Sequence, residues 1–273
     1  MSLAVRVWPT PDAFLAHLGA IDEVAGCALH GLAHTWLARP ESFRPGTPLL
    51  TAEDNGNVAA AAIQASLGKI VFSLGPVEAI LALAAWCDDA GRRPTAAVAP
   101  ESALPALLAR WPGRRTLETT LYRLDQPPEI PDVAGHLRPA AKSEIGFFTA
   151  WVADFTVEAR LPPDPKPRAL VETKIGAGHL FVWEVGGVPM AIAALAGPTP
   201  RSVRLNTVYT PPEFRRRGYG SAAVATLAER QLACGRKVVT LFADRALPHT
   251  NRMYGRIGFQ PVADFADIEI ERA

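Results

Sequence analysis

The sequence is poor in the features that would point directly to a chemistry. It has three cysteines, Cys27, Cys87 and Cys234, far apart and each in an Ala/Leu-rich stretch with helical patterning. They form no C-x-x-C pair and no Cys/His cluster, so neither a disulfide framework nor a metal site is expected. Each thiol is expected to pack as a small hydrophobe. An excess of one charge is also missing, since 28 basic residues face 27 acidic ones for a net charge of +1. With no global field, neither nucleic acid nor a membrane surface is an expected partner, and any anion site has to be local. No apolar run reaches bilayer length, and the opening MSLAVRVWPTPDAFLAHLGA lacks a basic region followed by a sustained apolar stretch. These two absences predict a cytoplasmic location.

What the chain does have is core-forming material. Hydrophobic residues make up 49% and charged residues 20% of the 273 positions, which specifies a folded protein with room for one or two compact units. In the second half, helical spacing covers residues 140–153 and about 166–175. Strand patterns follow at 179–185 and 188–196, joined by Gly186 and Gly187 as a hairpin signal, and at 202–209. After the third strand come the loop TPPEFRRRGYGS, a helix closed by Gly235, a strand at 237–243, a short helix at 249–256 and closing strand material at 259–269.

The first half repeats this order with little residue identity. Helical stretches at 11–22 and 26–38 precede strands at 48–53, 58–66 and 69–74, then a helix at 76–91, a strand at 95–99, a helix at 101–111 and a strand at 116–124. The order ααβββαβαβ therefore occurs twice. Between the copies lies DQPPEIPDVAG, whose prolines exclude helix and central strand and predict an extended connector. The expected division is a first domain at 1–125, a linker at 126–135 and a second domain at 136–273. The alternative is one large mixed sheet with a proline-rich loop.

The chemistry concentrates where Arg215, Arg216, Arg217, Gly218, Tyr219, Gly220 and Ser221 leave a strand and open a helix. Backbone N–H groups at a helix start have no intrahelical acceptors and sit at the positive end of the helix dipole, so they suit a pyrophosphate. Gly218 and Gly220 keep Cβ atoms away from the phosphates, and the arginines add positive charge.

The run TVYTPPEFRRRGYGSAAV resembles the acetyl-CoA signature of the GCN5-related N-acetyltransferases, with Arg215, Gly218 and Gly220 at its defining positions. A later element, NRMYGRIGF at 251–259, resembles that family's short helix carrying an Asn and a Tyr. The resemblance implies an α+β, mixed α/β architecture: two tandem copies of the acyl-CoA N-acyltransferase (GNAT) fold, each a mixed, mostly antiparallel sheet flanked by helices. It implies acetyl-CoA as co-substrate. Main-chain groups of Val208, Tyr209 and Thr210 would hold the pantetheine arm and thioester carbonyl where the third strand splays from the next. Asn251 would contact the pantetheine chain, and Tyr254 would protonate the departing thiolate.

The third strand carries no acid where many relatives have one, which leaves the base unassigned; Glu158, after the first helix of the second copy, and Glu184 are the carboxylates considered, and only Glu158 is taken as a candidate. Glu213 is expected to serve the turn. In the first copy only Gly75 and Pro76 join the third strand to the next helix, so no phosphate loop fits and that copy is expected to be degenerate. His30, His34 and Trp36 there are read as packing residues.

The expected activity is transfer of acetyl to a small-molecule amine by direct attack in a ternary complex. Cys234 is not expected to act as a nucleophile, because no His is placed to activate it. The alternatives are a non-catalytic acyl-CoA sensor and an acyltransferase with a longer acyl donor. A homodimer is left open.

Overall fold

The computed structural model describes residues 3–66, 68–161 and 165–271. Two compact units form: unit 1 comprises Met1–Leu121, Gly197–Thr199 and Val262–Ala273, and unit 2 comprises Tyr122–Ala196 and Pro200–Pro261. No helix among the described residues is long and apolar enough to cross a membrane.

The first run of elements is β1 (Leu3–Trp8), α1 (Pro11–His17), α2 (Cys27–Ala38), β2 (Leu49–Asp54), β3 (Asn57–Ser66), β4 (Lys69–Phe72), α3 (Val77–Asp89), β5 (Ala96–Pro100), α4 (Leu104–Arg110) and β6 (Gly113–Leu124). The second repeats it: β7 (His136–Pro139), α5 (Ile145–Glu158), α6 (Pro167–Gly176), β8 (Leu180–Val185), β9 (Val188–Ala196), β10 (Ser202–Tyr209), α7 (Tyr219–Ala233), β11 (Val238–Asp244), α8 (Pro248–Ile257) and β12 (Gln260–Ile270). Each run opens with a short strand, β1 or β7, that the sequence patterns above do not include.

In unit 1 the strand order is β1-β2-β3-β4-β5-β12-β6, so the last strand of the chain sits in the first unit's sheet. β12 pairs antiparallel with β5, from Phe265 opposite Pro100 to Glu269 opposite Ala96. This pairing buries Ala266, Ile268 and Ile270 in a core with Trp111, Phe72, Leu83 and Leu107. The expected assignment of residues 259–269 to the second domain is thereby corrected for all but the start of β12. The physical reason is that three apolar side chains on one face of β12 are buried by packing with α3 and α4. The proline-rich connector also belongs to unit 2 and is not a free spacer. The Glu129 N–H donates to the Ile257 carbonyl at 2.9 Å, and Trp183 Nε1 donates to the Ala134 carbonyl at 3.1 Å.

Unit 2 has the strand order β11-β10-β9-β8-β7, antiparallel except for the parallel pair β10 and β11. Gly186 and Gly187 take φ of 56° and 81°, the left-handed pair that a tight β8–β9 hairpin requires. Alternation along β9 sends Ala191, Ala193 and Leu195 to one face and Ile192 and Ala194 to the other. On the first face α7 presents Ala222, Ala223, Ala225 and Ala228, small enough for close approach, with Val224 and Leu227. On the second, α5 and α6 bury Phe148, Trp151, Val152, Val171 and Ile175. The sheet is thus covered on both faces, and its β10–β11 end carries the features described next.

Candidate acyl-CoA site

β10 and β11 stay paired only from Ser202 opposite Val238 to Leu205 opposite Leu241, although both strands continue. Beyond Leu205 they part. On its other edge β10 pairs Asn206 with Ala194 and Tyr209 with Ile192, so Thr207 and Val208 together stand against the single Ala193. This is a β-bulge, and Thr207 pays for it with φ of 50°, a strained value for a β-branched residue. Splay and bulge coincide at Val208, Tyr209 and Thr210, where the main chain leaves the regular ladder. Pro211 and Pro212 then supply no N–H with which to resume it.

The loop ends at α7. Its first three amides, of Tyr219, Gly220 and Ser221, precede the first intrahelical bond, in which Ala222 N–H donates to the Gly218 carbonyl at 2.9 Å. Gly218 takes φ of 84°, and a Cβ there would lie 2.9 Å from Cγ1 of Val133. A Cβ on Gly220 would lie 2.8 Å from the Thr210 hydroxyl. Gly218 is thus favoured by its φ, an added Cβ at Gly220 would force the Thr210 side chain to turn, and the two glycines leave a cradle of N–H groups at the positive end of a 15-residue helix.

The three arginines divide their work. Arg215 turns back into the protein: its Nε donates to the Thr210 carbonyl at 2.8 Å, and its Nη2 donates to both Glu158 oxygens at 2.7 Å. Its guanidinium carbon also lies 5.8 Å from the Tyr209 ring centroid. Arg215 thus latches the loop to α5 at the splayed strand end, and Glu158, considered above as a proton acceptor, is the carboxylate that holds the latch. Arg216 and Arg217 are exposed cations with no ion pair among the described residues. Glu184 is bonded to Arg138 Nε at 2.6 Å. One further carboxylate stands at the open end of β11: Asp244 pairs with Arg160 at 2.5 Å and accepts the Ala246 N–H at 2.8 Å. Reading the third strand alone passes over it.

α8 packs on β11 and α7 and carries the two residues expected from the family's short helix. Tyr254 is buried, with ring centroids of Tyr122 and Phe259 at 6.1 and 5.9 Å. Burial, and secondarily the neighbouring Tyr122, raise its pKa well above the ordinary tyrosine value. Asn251 donates from Nδ2 to the carbonyls of Asp244 at 2.8 Å and Leu247 at 2.9 Å, while its Oδ1 accepts the Tyr122 hydroxyl at 3.0 Å. Asn251 therefore holds the β11–α8 turn. Tyr122, from the far end of β6, had no signal in its own strand pattern; only its partners identify it. Tyr122→Phe is expected to cost about 1 kcal/mol of stability in urea unfolding, the usual net worth of one hydrogen bond. Unchanged stability would mean that Asn251 needs no anchor.

The corresponding place in unit 1 is closed. After β4 the Ser73 N–H donates to the Ala61 carbonyl at 2.9 Å and the Leu74 N–H to the Ala25 carbonyl at 2.9 Å. Gly75 sits where a Cβ would lie 2.6 Å from the Ala59 carbonyl oxygen, and Glu78 places an acid in the first turn of α3. The two amides at the strand end are bonded, and the first turn of α3 already carries a negative charge. His30 Nε2 bonds the Ile21 carbonyl at 3.0 Å, Trp36 packs in the core around Phe14 and Leu29, and burial lowers the pKa of His34.

No curated protein sequence matches this one. Three solved structures share the fold over nearly the whole chain. A GCN5-related N-acetyltransferase from Sphaerobacter thermophilus aligns with TM-score 0.64 at 15% identity, over 97% of this chain and 94% of its own. A Drosophila protein aligns with TM-score 0.69 at 12% identity, over 98% of both chains. A tandem GNAT protein from the clavulanic acid biosynthesis pathway aligns with TM-score 0.52 at 13% identity, again over 98% of both. Residues 147–259, the greater part of unit 2, match the model of the acetyltransferase (GNAT) family and are a domain of that family.

Proposed function

We propose that unit 2 transfers the acetyl group of acetyl-CoA to a primary amine of a small molecule, by direct attack within a ternary complex. The observation that carries this reading is one juxtaposition. The free amides of Tyr219, Gly220 and Ser221 open α7 immediately after the bulge at Val208, where β10 has left β11.

Acetyl-CoA supplies an acyl group activated as a thioester. The α7 amides, with Arg216 and Arg217 beside them, would hold its pyrophosphate, and the Gly218 and Gly220 cradle leaves room for those oxygens. Main-chain groups of Val208, Tyr209 and Thr210 would bind the pantetheine arm, and an N–H there would stabilise negative charge developing on the thioester oxygen. The amine nitrogen forms its bond to the carbonyl carbon as the carbon–sulfur bond breaks, and it gives up one N–H proton to water, which balances the proton the thiolate takes. Tyr254 donates its proton to the departing thiolate, and its raised pKa keeps that proton in place until then.

One observation favours a second reading, a non-catalytic acyl-CoA sensor: β10 bears no acid, and Glu158 is engaged by Arg215. Thiol release from acetyl-CoA across a panel of primary amines separates the two. Saturable release above the hydrolysis background with one class of amine is the expected result. Thermal stabilisation by CoA without release over the whole panel would instead establish the sensor.

A further inference from the structure

Lys174, on α6, is an amine that the mechanism above leaves unused. Its Nζ donates to Oδ1 of Asn206 on β10 at 3.2 Å and to the Leu195 carbonyl on β9 at 3.4 Å, both neutral partners. Burial, and next the charge of Arg204, push its pKa from 10.5 down to about 8. Arg204 likewise meets no carboxylate among the described residues; its guanidinium carbon lies 6.0 Å from the Phe242 ring centroid.

Four of the carboxylates on α6 and the elements packed around it are committed elsewhere. Glu144 and Glu184 bind Arg138, Glu172 binds Arg168 and Glu158 binds Arg215. Asp154, on α5, adds its charge to the surroundings of Tyr209. The charge of Arg204 therefore acts on a partly desolvated Lys174, and neither cation has an ion pair among the described residues, which is unfavourable unless an anion joins them. Thr240 adds a further donor. It is the register partner of Arg204 and so lies on the same sheet face, and its hydroxyl is buried without a hydrogen-bond partner.

We propose that Lys174, Arg204 and the Thr240 hydroxyl form a carboxylate-binding subsite at the closed end of the β10–β11 split, and that the carboxylate is the acceptor's own. A carboxylate there replaces a like-charge contact with charge-assisted hydrogen bonds. Asn206, which marks the subsite on β10, and Val208, where the thioester would sit, are separated by the bulged Thr207. An acceptor that reaches both places is an amino acid whose amine is remote from its carboxylate. The subsite stands on these side chains alone, whereas its assignment to the acceptor rests on the acetyltransferase reading.

The test follows the Lys174 Nζ signal by NMR in the full chain, assigned with Lys174→Arg, as pH is varied with 4-aminobutyrate, its amide 4-aminobutanamide, or acetate. The expected result is a saturable shift with 4-aminobutyrate that raises the Lys174 midpoint above its value of about 8. The amide should have no such effect, and a folded Arg204→Met variant should bind 4-aminobutyrate at least about tenfold more weakly, as loss of one charge-assisted bond implies. Equal shifts from acid and amide, or none from any probe, would overturn the subsite. Acetate binding as tightly as 4-aminobutyrate would overturn its assignment to the acceptor. The readout needs neither acetyl-CoA nor turnover, so its failure is separate from failure of the acetyltransferase reading.

Discussion

Replacing Tyr254 with phenylalanine is expected to lower kcat by about 10²-fold or more while leaving acetyl-CoA affinity unchanged, as loss of a general acid does. Phenylalanine keeps the ring, so the contacts with Tyr122 and Phe259 that position α8 are preserved and only the proton is lost. The raised pKa gives the prediction a second arm. A group whose pKa is higher in the folded state stabilises the fold below its unfolded pKa, and that stability is lost as pH rises through the folded one. Unfolding above the ordinary tyrosine value of 10.0 should therefore be steeper with pH in the wild type than in Tyr254→Phe. A variant with full turnover would remove Tyr254 from the mechanism, whatever its stability did.

The proton economy of the site explains why Tyr254 is the more informative residue to change. Glu158 braces Arg215 against the Thr210 carbonyl, and Asp244 is tied to Arg160 and to the turn that follows β11. Both acids are structural in this state. An amine that arrives neutral still loses one N–H proton on becoming the amide; where water takes that proton, nothing further is required from β10.

Local features of this fold could be read from the chain because local chemistry dictates them. Gly186 and Gly187 permit the left-handed turn of the β8–β9 hairpin, and Gly218 is needed both for its φ and for the approach of Val133. Strand β1 escaped because none of its side chains is buried, so it carries no clear core-facing alternation, and β7 because it has four residues and ends in a proline. Longer-range features had no such signature. Nothing in the sequence of β12 says that it pairs with β5, more than a hundred and fifty residues earlier, because the same alternating pattern suits any half-buried edge. The Arg215–Glu158 latch joins residues 57 positions apart, so the glycine loop announced an anion site without revealing that one of its arginines faces inward. Tyr122 lies 129 positions from Asn251, and it too becomes visible only once β6 and α8 are in place.

The most direct test of the central claim is acetyl-CoA binding by calorimetry to the wild type and to Ser221→Glu. Ser221 is the third residue of α7, where an added carboxylate favours the helix by about 0.3–1 kcal/mol through the dipole. The same carboxylate would face the pyrophosphate at the amide cradle, and like charges about 4 Å apart repel by several kcal/mol at the effective dielectric of a protein surface. The account predicts saturable binding to the wild type, and binding about 10²-fold weaker or absent in a variant that is folded and no less heat-stable. Equal affinity in the two proteins, or no binding to the folded wild type, would contradict it and leave the loop a purely structural element.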